Sequence, residues 1–165
     1  MRRIRGWLAL CIVVGVATGV AARADDKEEK VPLDKVPKAV LKAVKAKFKD
    51  AELIGAQTEK DNGKLVYEIN LKDKGTSIDV TLSPDGKIIS IEKTITAKDL
   101  PRPVTEAINS KYPKSEYKIV EEVTEGGKTN YEVLLVTADK KKIEIVLDRD
   151  GKIVKEEKKE EEKDK

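Results

Sequence analysis

The sequence predicts an α+β protein made of two tandem α-β-β-β-β modules, with the helices packed on one face of antiparallel sheet. Three observations predict it. The stretch Gly63-Lys64-Leu65-Val66-Tyr67-Glu68-Ile69-Asn70-Leu71 returns 64 residues later as Gly127-Lys128-Thr129-Asn130-Tyr131-Glu132-Val133-Leu134-Leu135. Both copies alternate apolar and polar residues around a Tyr-Glu pair, the period of a half-buried strand. At the same shift Pro37, Val40, Ala43 and Lys47 match Pro101, Val104, Ala107 and Lys111. After one extra residue in the second copy the shift becomes 65, and Ile78, Leu82, Asp85, Gly86, Lys87 and Ile88 match Ile143, Leu147, Asp150, Gly151, Lys152 and Ile153. Agreement at helix starts, core positions and turns together marks an internal duplication.

The chain opens Met1-Arg2-Arg3-Ile4-Arg5, a basic segment, followed by an apolar run from Trp7 to Ala22 and the small residues of Ala22-Arg23-Ala24. This is the layout of a secretory signal peptide over residues 1–24, cleaved after Ala24. At about 16 residues the run is shorter than the ~20 a spanning helix needs, which disfavours an uncleaved anchor. No transmembrane segment is expected after cleavage. Cys11 and Trp7 leave with the peptide. Of the 34 basic residues four lie in residues 1–24, with no acid, so the mature chain carries 30 basic against 31 acidic side chains. The basic balance of the precursor therefore gives no argument for nucleic-acid binding. A mature chain without Cys has no disulfide framework, and each module must be held by its own apolar core.

Residues 25–30 read as a charged linker. Module one, residues 31–95, starts with a helix capped by Asp34, with Pro37 in its first turn. Val36, Val40, Ala43, Val44 and Phe48 form one apolar stripe, and Lys38, Lys42, Lys45 and Lys49 occupy the other face. Strands are predicted over Glu52–Glu59, Lys64–Lys72, Thr76–Ser83 and Lys87–Ile95, separated by the turn signals Asp61-Asn62-Gly63, Asp73-Lys74-Gly75 and Pro84-Asp85-Gly86. Module two, residues 96–157, repeats the order. Asp99 caps a helix with Pro101 and Pro103 in its first turn, and Leu100, Val104, Ala107, Ile108 and Tyr112 form the stripe. Strands follow over Glu116–Thr124, Lys128–Thr137, Lys141–Asp148 and Lys152–Glu157. Residues 158–165, almost wholly Lys, Glu and Asp, read as a charged disordered tail.

A helix opening at a Pro, then Tyr-Glu in the second strand, then an Asp-Gly-Lys hairpin, resembles the PepSY-like module of exported bacterial proteins. The marks are Val36-Pro37, Tyr67-Glu68 and Asp85-Gly86-Lys87 in the first copy, and Leu100-Pro101, Tyr131-Glu132 and Asp150-Gly151-Lys152 in the second. Two in tandem resemble the beta-lactamase-inhibitor-like, PepSY-like family over nearly all of the mature chain. The resemblance implies helices on one face of an antiparallel sheet and export to the periplasm or beyond. It also implies binding to, or inhibition of, another protein, and offers no catalytic residues. Inhibitors of this architecture present aromatic side chains at their interface. Here Phe48, Tyr67, Tyr112 and Tyr131 fall on core-facing positions and Tyr117 alone does not.

The residues themselves argue against catalysis. There is no His, and the only Cys is Cys11. Cys–His and Ser–His arrangements and most zinc sites are thereby excluded. Asp148-Arg149-Asp150-Gly151 superficially matches a calcium loop, but it lies between strands where Ser83-Pro84-Asp85-Gly86 stands in copy one, and a hairpin turn explains both. No cofactor or metal is expected. If the sheet face away from the helices is open, Val66, Glu68, Asn70, Asp79 and Thr81 form a mixed patch in copy one. Asn130, Glu132, Leu134, Val136, Glu144 and Val146 form a more apolar one in copy two. Glu68, Asn70, Asn130, Glu132, Leu134, Val136 and Val146 are the candidate contacts for a partner, an envelope or secreted protein, with Leu134, Val136 and Val146 its apolar centre. An alternative is contact with a polyanion or an anionic membrane surface through the Lys face of the first helix.

Overall fold

The computed structural model describes residues 28–159. The predicted signal peptide and its cleavage site, and the tail beyond residue 159, lie outside the described residues. The elements run β1 Glu29–Lys30, α1 Lys38–Lys47, β2 Glu52–Asp61, β3 Lys64–Asp73, β4 Thr76–Leu82, β5 Ile88–Thr94, α2 Arg102–Lys111, β6 Glu116–Glu125, β7 Lys128–Val136, β8 Lys142–Asp148 and β9 Ile153–Lys159. The nine strands form one antiparallel sheet in simple sequence order. The modules are joined through the β5–β6 seam, where Ser90, Ile91, Glu92, Lys93 and Thr94 face Glu125, Thr124, Val123, Glu122 and Glu121.

Each helix covers its own module. Val36, Val40 and Val44 pack on Ala56, Ile69, Leu71, Ile78, Val80 and Leu82. Leu100, Val104 and Ile108 pack on Val120, Tyr131, Val133, Leu135, Ile143, Ile145 and Leu147. The seam shows that both helices lie on the same side. Ile91 packs against the first core and stands beside Thr124, and Val120, four residues from Thr124 on the same side of β6, belongs to the second. Among the described residues, the opposite face of the sheet carries no helix.

The duplication extends to the backbone. A bulge between Leu53 and Gly55 recurs between Tyr117 and Ile119, and one between Thr81 and Leu82 recurs between Val146 and Leu147. Bulges bend a strand and re-aim its side chains. In the β4–β5 and β8–β9 hairpins, Gly86 and Gly151 adopt φ of 89° and 82°. Each also passes against the first turn of its helix. A Cβ at Gly86 would lie 2.6 Å from the Ala39 carbonyl oxygen, and one at Gly151 would lie 2.7 Å from the Pro103 carbonyl carbon.

Several expectations are corrected. Glu29 and Lys30 are not linker but a strand paired with Thr58 and Gln57. Lys158 and Lys159 are not tail but the end of β9, facing Ile143 and Lys142. Both segments have little apolar content, and backbone pairing to a neighbouring strand orders them. Asp34 and Asp99 do not cap the α-helices: Pro37 and Pro101 are the N-caps, and the acids sit in short 3-10 turns just before them. Asp99 takes part in a capping box, its carboxylate accepting from the Thr96 N–H at 2.9 Å and from the Thr96 hydroxyl at 2.7 Å. Tyr117 is packed against the second core with Tyr112, so no aromatic ring stands out from the described surface.

Candidate functional site

Strand alternation and register assign the helix-free face residue by residue. One row runs Gln57, Glu68, Thr81, Ser90, Glu125 across β2 to β6. The next runs Asn70, Asp79, Glu92, Val123, Asn130 and Asp148 across β3 to β8. A third runs Thr94, Glu121, Glu132, Val146 and Lys155 across β5 to β9. Five adjacent strands, β3 to β7, thus each contribute a carboxylate: Glu68, Asp79, Glu92, Glu121 and Glu132.

Polar side chains order one end of this band. Asn70 Nδ2 donates to Glu68 Oε1 at 2.7 Å and to Asp79 Oδ1 at 2.8 Å, and Gln57 Nε2 donates to Glu68 Oε1 at 3.2 Å. No lysine or arginine is ion-paired with any of the five carboxylates among the described residues. For the four glutamates burial is the main cause of altered acidity, with like charge second. It pushes Glu68 to about 7, helped by Asp79. Glu92 rises to about 8, helped by Glu121, Glu132, Glu68 and Asp79. Glu132 rises to about 8, helped by Glu144 and Glu121 and opposed by Lys155 and Lys159. Glu121 is raised by burial and by Asp79.

The end of the face near β9 is different. Glu144 is 4% exposed but is paired with Lys159, and Lys155 Nζ lies 4.0 Å from it. Lys155 and Lys159 also reach Glu157, at 2.8 and 3.1 Å. Lys155 stands opposite Val146 in register. Its ammonium points to Glu144 two residues along, which draws the aliphatic stem across that row.

Of the seven residues singled out from the sequence, Glu68, Asn70, Asn130 and Glu132 are half-buried on this face. Val136 is half-buried at the end of β7. Leu134 and Val146 share the face but are only 5% and 1% exposed, so the expected apolar centre is not open to a partner. Alternation reveals the face a residue points to but not whether neighbours on that face bury it. Sequence reasoning missed Glu92, Glu121 and Ser90: β4–β5 pairing sets Ser90 and Glu92 beside Thr81 and Asp79, β6–β7 pairing sets Glu121 beside Glu132, and the β5–β6 seam joins the two patches into one. Tyr67 and Tyr131 lie on the helix side, Tyr131 buried and Tyr67 partly so, as their alternation with Glu68 and Glu132 predicts.

Among the described residues no group of three or more Asp or Glu is placed to hold a metal ion. The Asp148 carboxylate is occupied by the hairpin itself, accepting from the N–H groups of Asp150 at 3.0 Å and Lys152 at 2.9 Å. No described helix is long and apolar enough to cross a membrane.

A duplicated helix-on-sheet module with one whole sheet face left bare defines the chain as a tandem α+β protein of the inhibitor-like architecture. The chain belongs to the family described as "Putative beta-lactamase-inhibitor-like, PepSY-like", whose profile matches it twice, over residues 22–90 and 89–155. The fold is shared with a Bacteroides eggerthii protein described as a putative periplasmic protein, at a TM-score of 0.65 and 16% identity, covering 74% of this chain and 88% of that one. A DUF2874 family protein of Bacteroides uniformis matches at 0.64 and 18% identity over the same shares of the two chains. A BLIP-like protein of Bacteroides fragilis matches at 0.61 and 17% identity, covering 78% of this chain and 92% of that one. No curated protein sequence matches the chain.

Proposed function

We propose that this is an exported, non-catalytic binding protein that recognises an envelope or secreted protein through the helix-free face of its sheet, acting as an inhibitor where that partner is an enzyme. The carrying observation is the band of Glu68, Asp79, Glu92, Glu121 and Glu132, half-buried and, among the described residues, offset by cations only at the Glu132 end, where Lys155 and Lys159 act on it. Unpaired charge at partial burial is costly to the free protein and is relieved by a complementary surface. The family's inhibitor-like description and the periplasmic description of a structural neighbour support the reading. The basic segment, apolar run and Ala22-Arg23-Ala24 support export with cleavage after Ala24.

The test is capture from envelope and culture-fluid extract by immobilised residues 25–165. Asn70→Arg and Asn130→Arg, at half-buried positions on the bare face, are expected to weaken retention of a specific protein by about tenfold or more through steric and charge conflict. Glu106→Arg, on exposed α2, is expected to leave it unchanged. Equal retention by all three variants would place the contact elsewhere.

A second reading, contact with a polyanion or an anionic membrane surface, is favoured by the exposure of Lys38, Lys42, Lys45 and Lys49, none of which is ion-paired among the described residues. In α2 Arg102 is instead bound to Glu106 at 2.6 Å and Lys111 to Glu156. Retention through the Lys face is expected to vanish as salt rises from 0.05 to about 0.5 M, whereas a packed sheet interface persists.

A further inference from the structure

The two copies of the module treat the same spot on the bare face in opposite ways. At the shift of 65 residues, Asp79 corresponds to Glu144, Glu92 to Glu157, Ser90 to Lys155 and Thr94 to Lys159. At the shift of 64, Glu68 corresponds to Glu132. The register confirms the correspondence: Asp79 faces Glu92 and Thr81 faces Ser90 in module one, as Glu144 faces Glu157 and Val146 faces Lys155 in module two. Both copies therefore hold carboxylates at equivalent points. Module two neutralises Glu144 and Glu157 with its own ammonium groups, from Lys155 and Lys159. Module one has hydroxyl residues in the places of both lysines.

One of those hydroxyls points to a ligand independently of the acids. Ser90 is 5% exposed, and its Oγ has no hydrogen-bond partner among the described residues. Its register with Thr81, and its spacing of two from Glu92, aim it into the carboxylate band. A buried hydroxyl without a partner destabilises the folded state. The cost is relieved by a group that enters the band with a donor to offer.

We propose that this spot on module one, bounded by Glu68, Asp79, Ser90 and Glu92, receives the ammonium group of a lysine side chain of the protein partner, which does there what Lys155 does in module two. This deepens the protein-binding reading above and rests on it. Three ammonium hydrogens can be shared between the carboxylates and the Ser90 hydroxyl. Near neutral pH the band holds protons instead, because burial disfavours the charged forms of Glu68 on β3, Glu92 on β5, Glu121 on β6 and Glu132 on β7, and neighbouring charge, Asp79 on β4 and Glu144 on β8 included, adds repulsion that Lys155 and Lys159 on β9 oppose at Glu132. A lysine displaces those protons, so it binds more tightly at pH 8.5 than at pH 6.

The test uses N-acetyl-lysine methylamide as the probe, titrated at low salt and followed by amide NMR shifts, with the neutral N-acetyl-norleucine methylamide as control. Shifts are expected to centre on Asp79, Ser90 and Glu92 for the lysine probe alone. Ser90→Lys supplies the ammonium from within the chain. It is expected to abolish probe binding and to melt about 5 °C higher than Ser90→Met, a side chain of similar length without charge, at pH 8.5. Glu92→Gln, near-isosteric, is expected to weaken the probe about tenfold. Probe shifts spread evenly over exposed carboxylates, or a Ser90→Lys protein that melts no higher than Ser90→Met, would overturn the proposal. Such a failure, with capture still lost in Asn70→Arg and Asn130→Arg, would remove the lysine site and leave the binding face. Loss of neither would remove both.

Discussion

Replacing Gly151 with alanine is expected to destabilise the protein by about 3 kcal/mol or more, and replacing Gly86 to do the same in the first module. Two costs add at these positions. The backbone holds φ of 82° and 89°, where a side chain is strained by about 1 kcal/mol or more. In addition, the new Cβ would be driven into the backbone of the first helical turn, at Pro103 and Ala39, which has no flexible end to yield. Either the hairpin or the helix must move, and both are attached to a closed core. Gly127 separates the two costs. Its φ is 79°, but nothing lies within 4 Å of its Cβ position, so Gly127→Ala is expected to cost only about 1 kcal/mol. Urea unfolding followed by circular dichroism compares the three. An equal loss at Gly127 and Gly151 would show that the hairpin-to-helix approach contributes nothing.

The protein is expected to be most stable near pH 5 and to lose stability steadily towards pH 9. Glu68, Glu92 and Glu132 titrate near 4.5 in the unfolded chain and near 7 to 8 when folded. Between those limits the folded state binds more protons, so its stability falls as pH rises, and the loss is complete above about pH 8. One pKa unit corresponds to about 1.4 kcal/mol, and because the neighbouring carboxylates share their repulsion the total stays well below the simple sum. We expect about 2–4 kcal/mol, or a Tm lower by about 5–12 °C at pH 9 than at pH 5. The acid side has the opposite sign. Hydrogen bonds from Ser83 hold Asp85 low, and hydrogen bonds from Thr96 do the same for Asp99. Hydrogen bonds from Lys141 and Thr137 hold Asp139 at about 2, so its contribution disappears only at still lower pH. Glu92→Gln is expected to raise Tm at pH 8.5 and leave it nearly unchanged at pH 5. A melting temperature flat from pH 5 to 9 would show that the carboxylate band carries no repulsion.

The elements were legible because each carries its own period. The stripe Val40, Val44 and the alternation around Tyr67-Glu68 predict a helix and a strand from neighbouring residues alone. The polar candidates Glu68, Asn70, Asn130 and Glu132 were legible for the same reason, since each alternates with a core residue. What was not legible depends on distant strands. Glu92 joins Asp79 through β4–β5 pairing and Glu121 joins Glu132 through β6–β7 pairing, and the two groups become one band only because β5 pairs with β6. Leu134 and Val146 looked like an open apolar centre, but both are buried on that face, which depends on neighbouring strands that alternation does not report. Glu29 and Lys30 looked like linker because a two-residue strand has no period to detect.

The sequence by itself determined the duplication, the order of elements, the turns at Gly86 and Gly151, and which side of β3 and β7 faces the helices. Those are properties of local spacing, and local spacing is written in the chain. Only the tertiary structure decided that the modules share one sheet, that the carboxylates of five strands converge, and that one module neutralises its acids while the other does not. These depend on which strands become neighbours and which long side chains reach across them, and hydrogen-bond register, not sequence distance, sets both.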